Sequence, residues 1–116
     1  MKHFTTKDIS TLGIKRERLR VWIDEGWVRP YIRARGPGTK NYFTIADIIH
    51  IKTFEFLVEC GLHRRLAARA NRVKGIITWK GVDHGIFEVE RPGGTFIVLV
   101  NVDKIATDVK TKMGVL

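Results

Sequence analysis

The chain has 116 residues, 44% of them apolar, and a formal charge of +9. That is enough chain to bury a core unaided, and a single cysteine excludes an intrachain disulfide and suits a reducing interior. No stretch approaches the roughly 18–20 apolar residues that span a bilayer, and the N-terminus lacks a signal-type apolar core, so the expectation is no membrane role and a cytoplasmic location.

The charge is unevenly spread. Lys and Arg number 16 against 7 Asp and Glu over residues 1–74, and 5 against 5 over residues 75–116. Counterion release rewards cations only where phosphates lie, so a basic segment followed by a neutral one suits a nucleic-acid-binding module with an appended partner-binding or dimerisation module.

In chain order, Thr5 and Asp8 have the spacing of a helix cap and its reply, Ile9 and Leu12 face one side, and Gly13 supplies a left-handed stop. A second helix is predicted over roughly 15–25. Its Leu19, Trp22 and Ile23 recur at spacings of three and four, which leaves Lys15, Arg16, Arg18 and Arg20 pointing elsewhere. Two helices joined through a tight glycine turn make a helix-turn-helix, whose second helix enters the major groove. Arg16 and Arg18 are then the expected base-edge readers, since arginine bridges guanine O6 and N7, and Lys15 and Arg20 are expected on phosphates.

Beyond Gly26, two short extended runs flank Gly36-Pro37-Gly38 and predict a hairpin. Arg33, Arg35 and Lys40 near its tip, with Tyr42 on its return, suit a wing that grips backbone or minor groove. Thr44 is placed to cap a third helix in which Ile48, Ile51, Phe54 and Leu57 recur every three residues up to Cys60 and Gly61. A second apolar line, Ile45, Ile49 and Phe56, implies that something covers that side as well. A fourth helix from about His63 to Val73 carries Arg64, Arg65, Arg69 and Arg72, either against backbone phosphates or as a solvated face.

From Gly75 the period becomes alternating, with Ile77 and Trp79, Phe87 and Val89, and Phe96, Val98 and Val100 each marking a strand face. Val82-Asp83-His84-Gly85 and Arg91-Pro92-Gly93-Gly94 are the predicted turns. Phe96–Val100 is apolar on both faces and is expected as the central or doubly covered strand. Asp103 is expected to cap a last helix with Ile105, Val109 and Met113 inward. The fold class that follows is α+β: a winged helix-turn-helix domain over residues 1–74, then a small antiparallel sheet and a C-terminal helix over residues 75–116.

Through Leu62 the arrangement resembles the winged-helix domain of the mercury-resistance regulator (MerR) family. The residues that carry the resemblance are Thr6 to Leu12, Gly13-Ile14, Leu19-Arg20, Glu25-Gly26-Trp27-Val28-Arg29-Pro30, Phe43-Thr44, Asp47-Ile48, Ile51, Phe54 and Cys60-Gly61-Leu62. The resemblance implies that Arg20 occupies the family's DNA-contacting arginine position and Trp22 the second of two adjacent aromatics, the first being Val21 here. Lys40-Asn41-Tyr42 stands where the family's wing carries a Tyr-Arg pair. Downstream of Leu62 neither a coiled-coil heptad run nor a metal-sensing cysteine cluster follows, so inducer response does not carry over.

The function expected from this reading is sequence-specific binding of double-stranded DNA by a small transcriptional regulator. A single such module covers little DNA, so paired half-sites and a homodimer through residues 75–116 are expected, against the alternative that the sheet covers Ile45, Ile49 and Phe56 within one chain. The other readings are an excisionase-like or architectural DNA-binding factor, and a winged-helix protein-interaction or packaging adaptor.

Other chemistry is thinly represented. His3, His50, His63 and His84 are scattered, and Cys60 with His63 supplies two ligands where a closed zinc site needs four, so no metal is expected. Asp24-Glu25 reads as a helix end, no nucleophile has recognisable partners, and Arg35-Gly36-Pro37-Gly38-Thr39-Lys40 lacks the spacing and context of a phosphate loop. Neither an enzyme nor a cofactor is expected.

Overall fold

Two reciprocal caps start the N-terminal half. In the computed structural model, which describes residues 2–70 and 72–115 and leaves Met1, Asn71 and Leu116 outside that set, strand β1 (Phe4–Thr5) runs directly into helix α1 (Thr6–Ser10). The Thr5 amide donates to Asp8 Oδ2 at 2.8 Å, and the Asp8 amide donates to Thr5 Oγ1 at 3.4 Å. Gly13, at φ +86°, then turns the chain into helix α2 (Arg16–Asp24), and Gly26, at φ +81°, ends the turn that follows. Both positions use the left-handed region that a side chain disfavours.

The segment after Gly26 returns as strand β2 (Tyr42–Phe43), antiparallel to β1, with Phe4 opposite Phe43. The expected hairpin is present in reduced form, closed by one bridge in which Ile32 and Tyr42 exchange both amide hydrogen bonds, at 3.1 and 2.8 Å. Beyond it side chains replace the ladder: the Ala34 amide donates to Asn41 Oδ1 at 2.7 Å and the Arg35 amide to Thr39 Oγ1 at 2.8 Å. Pro37 has no amide to offer, and Gly36 and Gly38 have φ of +117° and +80°, so the tip is a turn-rich loop.

Helix α3 (Ile45–Glu59) repeats the capping arrangement with Thr44 and Asp47. Its Ile48, Ile51, Phe54 and Leu57 are fully buried beneath α1 and α2 residues such as Ile9, Leu19 and Trp22. Helix α4 (Arg64–Ala70) buries Ala67 and Ala70. It is shorter than the expected run to Val73, part of which, Asn71, lies outside the described residues; by Lys74 the amide is already bonded to the Ile86 carbonyl at 2.8 Å.

Strands β3 (Gly75–Trp79), β4 (Val82–Arg91) and β5 (Gly94–Val100) form an antiparallel meander in the order β3-β4-β5. Among the described residues the strands thus make one two-stranded and one three-stranded sheet. Helix α5 (Val102–Lys112) closes the chain and lies along α3. The first turn of the meander is Lys80-Gly81, both at positive φ, where Val82-Asp83-His84-Gly85 was expected. Mirror-image two-residue turns match the twist of paired strands, and Gly81 supplies the conformation that one of them needs.

Gly85 is therefore not a turn glycine. It sits inside β4, and a Cβ there would lie 3.1 Å from Val102 Cγ1, 3.1 Å from Val73 Cγ2 and 3.4 Å from Phe87 Cε2. Its missing side chain lets the start of α5 and the chain after α4 close over the sheet.

Two further expectations are corrected. Phe96–Val100 is an edge strand, because a meander places the middle strand of the sequence, β4, at the centre. Its Val98 and Val100 face the core with Phe87 and Val89, while Ile77 and Trp79 lie on the opposite, outer face by register. The cap of α5 is Asn101, whose Oδ1 accepts from the Lys104 amide at 3.0 Å, and Asp103 instead lies in the first turn, where the helix dipole favours it. Along the second apolar line of α3, Ile45 and Ile49 are half-buried against the core of the same chain, while Phe56 remains exposed and lines a groove that α5 residues also line.

Residues on both sides of the 74/75 boundary, from Phe4 and Trp22 to Phe87, Val109 and Met113, belong to one contiguous buried cluster. Gly85→Ala is expected to lower stability by about 1–3 kcal/mol, since the added methyl must displace two valines already in close contact. A shifted midpoint in urea denaturation checks this; an unchanged midpoint contradicts it.

Candidate nucleic-acid interface

Helix α2 advances 100° per residue, so burial of Leu19, Trp22 and Ile23 fixes where every other side chain points. Glu17, Val21 and Asp24 fall on the outward crest. Arg16 and Arg20, four residues apart, share the flank toward the hairpin loop, and Arg18 falls on the other flank, toward α3.

On the hairpin flank, an open groove of about 530 Å³ runs between α1, α2 and the loop. Lys7, Arg16, Arg20 and Lys40 line it, together with Thr5, Thr6, Thr39 and Asn41, and Glu17 is the one carboxylate among its lining residues. Among the described residues none of these four cations is in an ion pair. Cations without intramolecular partners, interleaved with hydroxyl and amide groups, are what an anionic strand needs from a protein surface.

Arg18 stands apart from that row. Its guanidinium carbon lies 4.6 Å from the Trp22 ring centroid, and Nη1 lies 3.8 Å from Glu55 Oε2. Glu55 is 7% exposed and also accepts from Lys52 Nζ, so a buried carboxylate of α3 holds its own neighbour Lys52 and, across the helix pair, Arg18 of α2. A second, shallower groove of about 430 Å³ lies on this flank, where Arg18, His63 and Arg64 are among the lining residues. Both flanks of α2 thus carry positive charge around a crest that carries two carboxylates.

The remaining sequence-selected residues are dispersed. Lys15 is the N-cap of α2, exposed and without a side-chain cap. Arg33 reaches back to Asp24 at 3.7 Å, an exposed pair that ties the hairpin loosely to the end of α2. Arg35 is exposed at the loop tip, and Tyr42 is half-buried, its ring centroid 6.3 Å from that of His3.

Lys7, Thr6, Thr39 and Asn41 were not selected from the sequence, although they line the groove. A signal existed for Lys7, which a 100° step from one residue to the next places nearly opposite the buried Ile9 on α1. Thr39 and Asn41 read only as loop polarity until the hairpin closes.

Among the described residues no three His, Cys, Asp or Glu side chains gather as a metal-ligand set, and no helix is long and apolar enough to cross a membrane. The chain matches no known protein-family model, and no curated protein matches it.

Replacing Glu55 with Ala is expected to cost about 1 kcal/mol, because Arg18 and Lys52 are partly exposed and regain water when their carboxylate is lost. Glu55→Gln, which keeps an acceptor, should cost less. Equal urea midpoints for all three proteins would contradict the assigned contact.

Proposed function

We propose that this chain binds double-stranded DNA as a winged helix-turn-helix module, with α2 directed into the major groove and the 33–40 loop serving as the wing. The observation that carries the reading is the convergence of Lys7, Arg16, Arg20 and Lys40, free of ion pairs among the described residues, on one groove beside α2. A phosphate backbone following that groove meets cations contributed by α1, α2 and the wing together. The reading also draws on the resemblance of residues 4–62 to the mercury-resistance regulator domain, in which Arg20 takes the DNA-contacting position.

Roles follow from position on the helix. Arg16 and Arg20 neutralise phosphates on the wing side, and Lys40 extends the row. The second flank, with Arg18 and Arg64, faces the opposite strand of the groove. Base reading falls to the crest, where Glu17 accepts a hydrogen bond from a cytosine amino group and Val21 offers an apolar contact to a thymine methyl. In this scheme Arg18, held by Glu55 and Trp22, steadies α2 and supplies charge rather than bridging a guanine. The regulatory role, acting on transcription from a symmetric site, is proposed on the same basis.

The acidic crest favours one second reading, an architectural factor that holds the duplex through phosphates alone. Selection of duplexes from a random pool separates the two: a regulator enriches one sequence, an architectural factor enriches none, and a protein-interaction adaptor retains no DNA.

With a selected duplex, Arg20→Ala is expected to weaken binding and to reduce the slope of log affinity against log salt by about one, the signature of one lost phosphate contact. Arg16→Ala should behave likewise. Fluorescence anisotropy across a salt series measures both, and affinities and slopes equal to those of the unaltered chain would contradict the groove. Glu17→Ala should leave the slope unchanged while lowering discrimination at one base pair by about 1–3 kcal/mol.

A further inference from the structure

The outer face of the three-stranded sheet is open and carries exposed apolar side chains, with Glu88 and Glu90 at one end. Register places Trp79 beside Val82 across β3 and β4, and on the same face Ile97 of β5 stands opposite Glu88. Trp79 is 53% exposed and Ile97 61%, with Ile77 and Val82 also exposed. Among the described residues the core lies against the other face, where Gly85, Phe87 and Val89 are buried with Val100. On the open face Ile86 and Leu99, opposite each other and half-buried, lie between the Trp79 group and Ile97, and exposed apolar side chains arranged in this way mark an association surface.

We propose that this face docks against the same face of a second copy of the chain, with the two sheets stacked antiparallel. Two features of the charge point to a copy as the occupant. The face is self-complementary: Lys80, whose Nζ lies 5.8 Å from the Trp79 ring centroid, sits at one end, and Glu88 and Glu90 sit at the other. A twofold axis running across the strands sets Lys80 of each copy against the partner's Glu88 and Glu90. The second feature is the division of charge along the chain. Residues 75–116 carry 5 cations and 5 carboxylates, so two copies meet through neutral segments while the +9 of each stays in residues 1–74. Stacked sheets lie about 10 Å apart, a spacing that side chains the size of Trp79 and Ile97 fill from both sides.

The inference does not depend on DNA binding and is tested without DNA. In sedimentation velocity at tens of micromolar, the full chain is expected at the mass of a dimer. Ile97→Lys and Trp79→Lys, both on exposed positions, should raise the dissociation constant at least about tenfold while leaving the far-ultraviolet circular dichroism spectrum unchanged. Lys80→Glu should weaken the dimer, and adding Glu90→Lys should restore it. A monomer at that concentration would overturn the proposal, as would a dimer indifferent to the lysine variants or a charge reversal that the second substitution fails to rescue.

Discussion

Trp22 meets Phe54 edge to face, with 5.0 Å between ring centroids and 78° between planes, and this buried contact sets the roll of α2 about its own axis. Such a pair contributes about 0.5–1.5 kcal/mol beyond the area it buries. Its larger effect is geometric. With Leu19 and Ile23 it leaves a single orientation in which no arginine of α2 is buried, and that orientation sends Arg16 and Arg20 to one flank and Arg18 to the other. Turning the helix by one residue, 100°, would drive a guanidinium into the apolar cluster, at a cost of several kcal/mol.

The C-terminal segment supports this arrangement from behind. α5 lies along α3, β4 receives α4, and Gly85 allows Val73 and Val102 to close over the sheet. Phe87, Val89, Val100 and Val109 continue the cluster that holds Trp22 and Phe54. The element that carries the groove is thus anchored by the segment whose outer face is left open. If that open face joins two copies, as proposed, the same small sheet serves both to stiffen one chain and to space two cationic grooves.

What could be read from the sequence was local. The Thr5 and Asp8 cap, the stop at Gly13, the inward stripe of α2 and the stripe of α3 each depend on residues within one or two turns of each other, and each is found. What could not be read depends on contacts distant in sequence. Arg18 looked like its neighbours until Glu55, 37 positions further on, came within 3.8 Å of it. Gly85 looked like a turn residue because its crowding by Val73 and Val102 exists only after α4 and α5 have packed. Apolarity on both faces of Phe96–Val100 suggested double cover, but alternation cannot distinguish a face covered by its own chain from one left open.

The proposed duplex lies along the groove between α2 and the hairpin loop. Titrating the isotope-labelled chain with a selected duplex and following backbone amide shifts tests it residue by residue. Shifts are expected to concentrate at Thr5–Lys7, Arg16–Arg20 and Thr39–Asn41, with those of β3–β5 small by comparison. Shifts confined to residues 75–116, or none anywhere along α2 and the loop at saturating duplex, would contradict it.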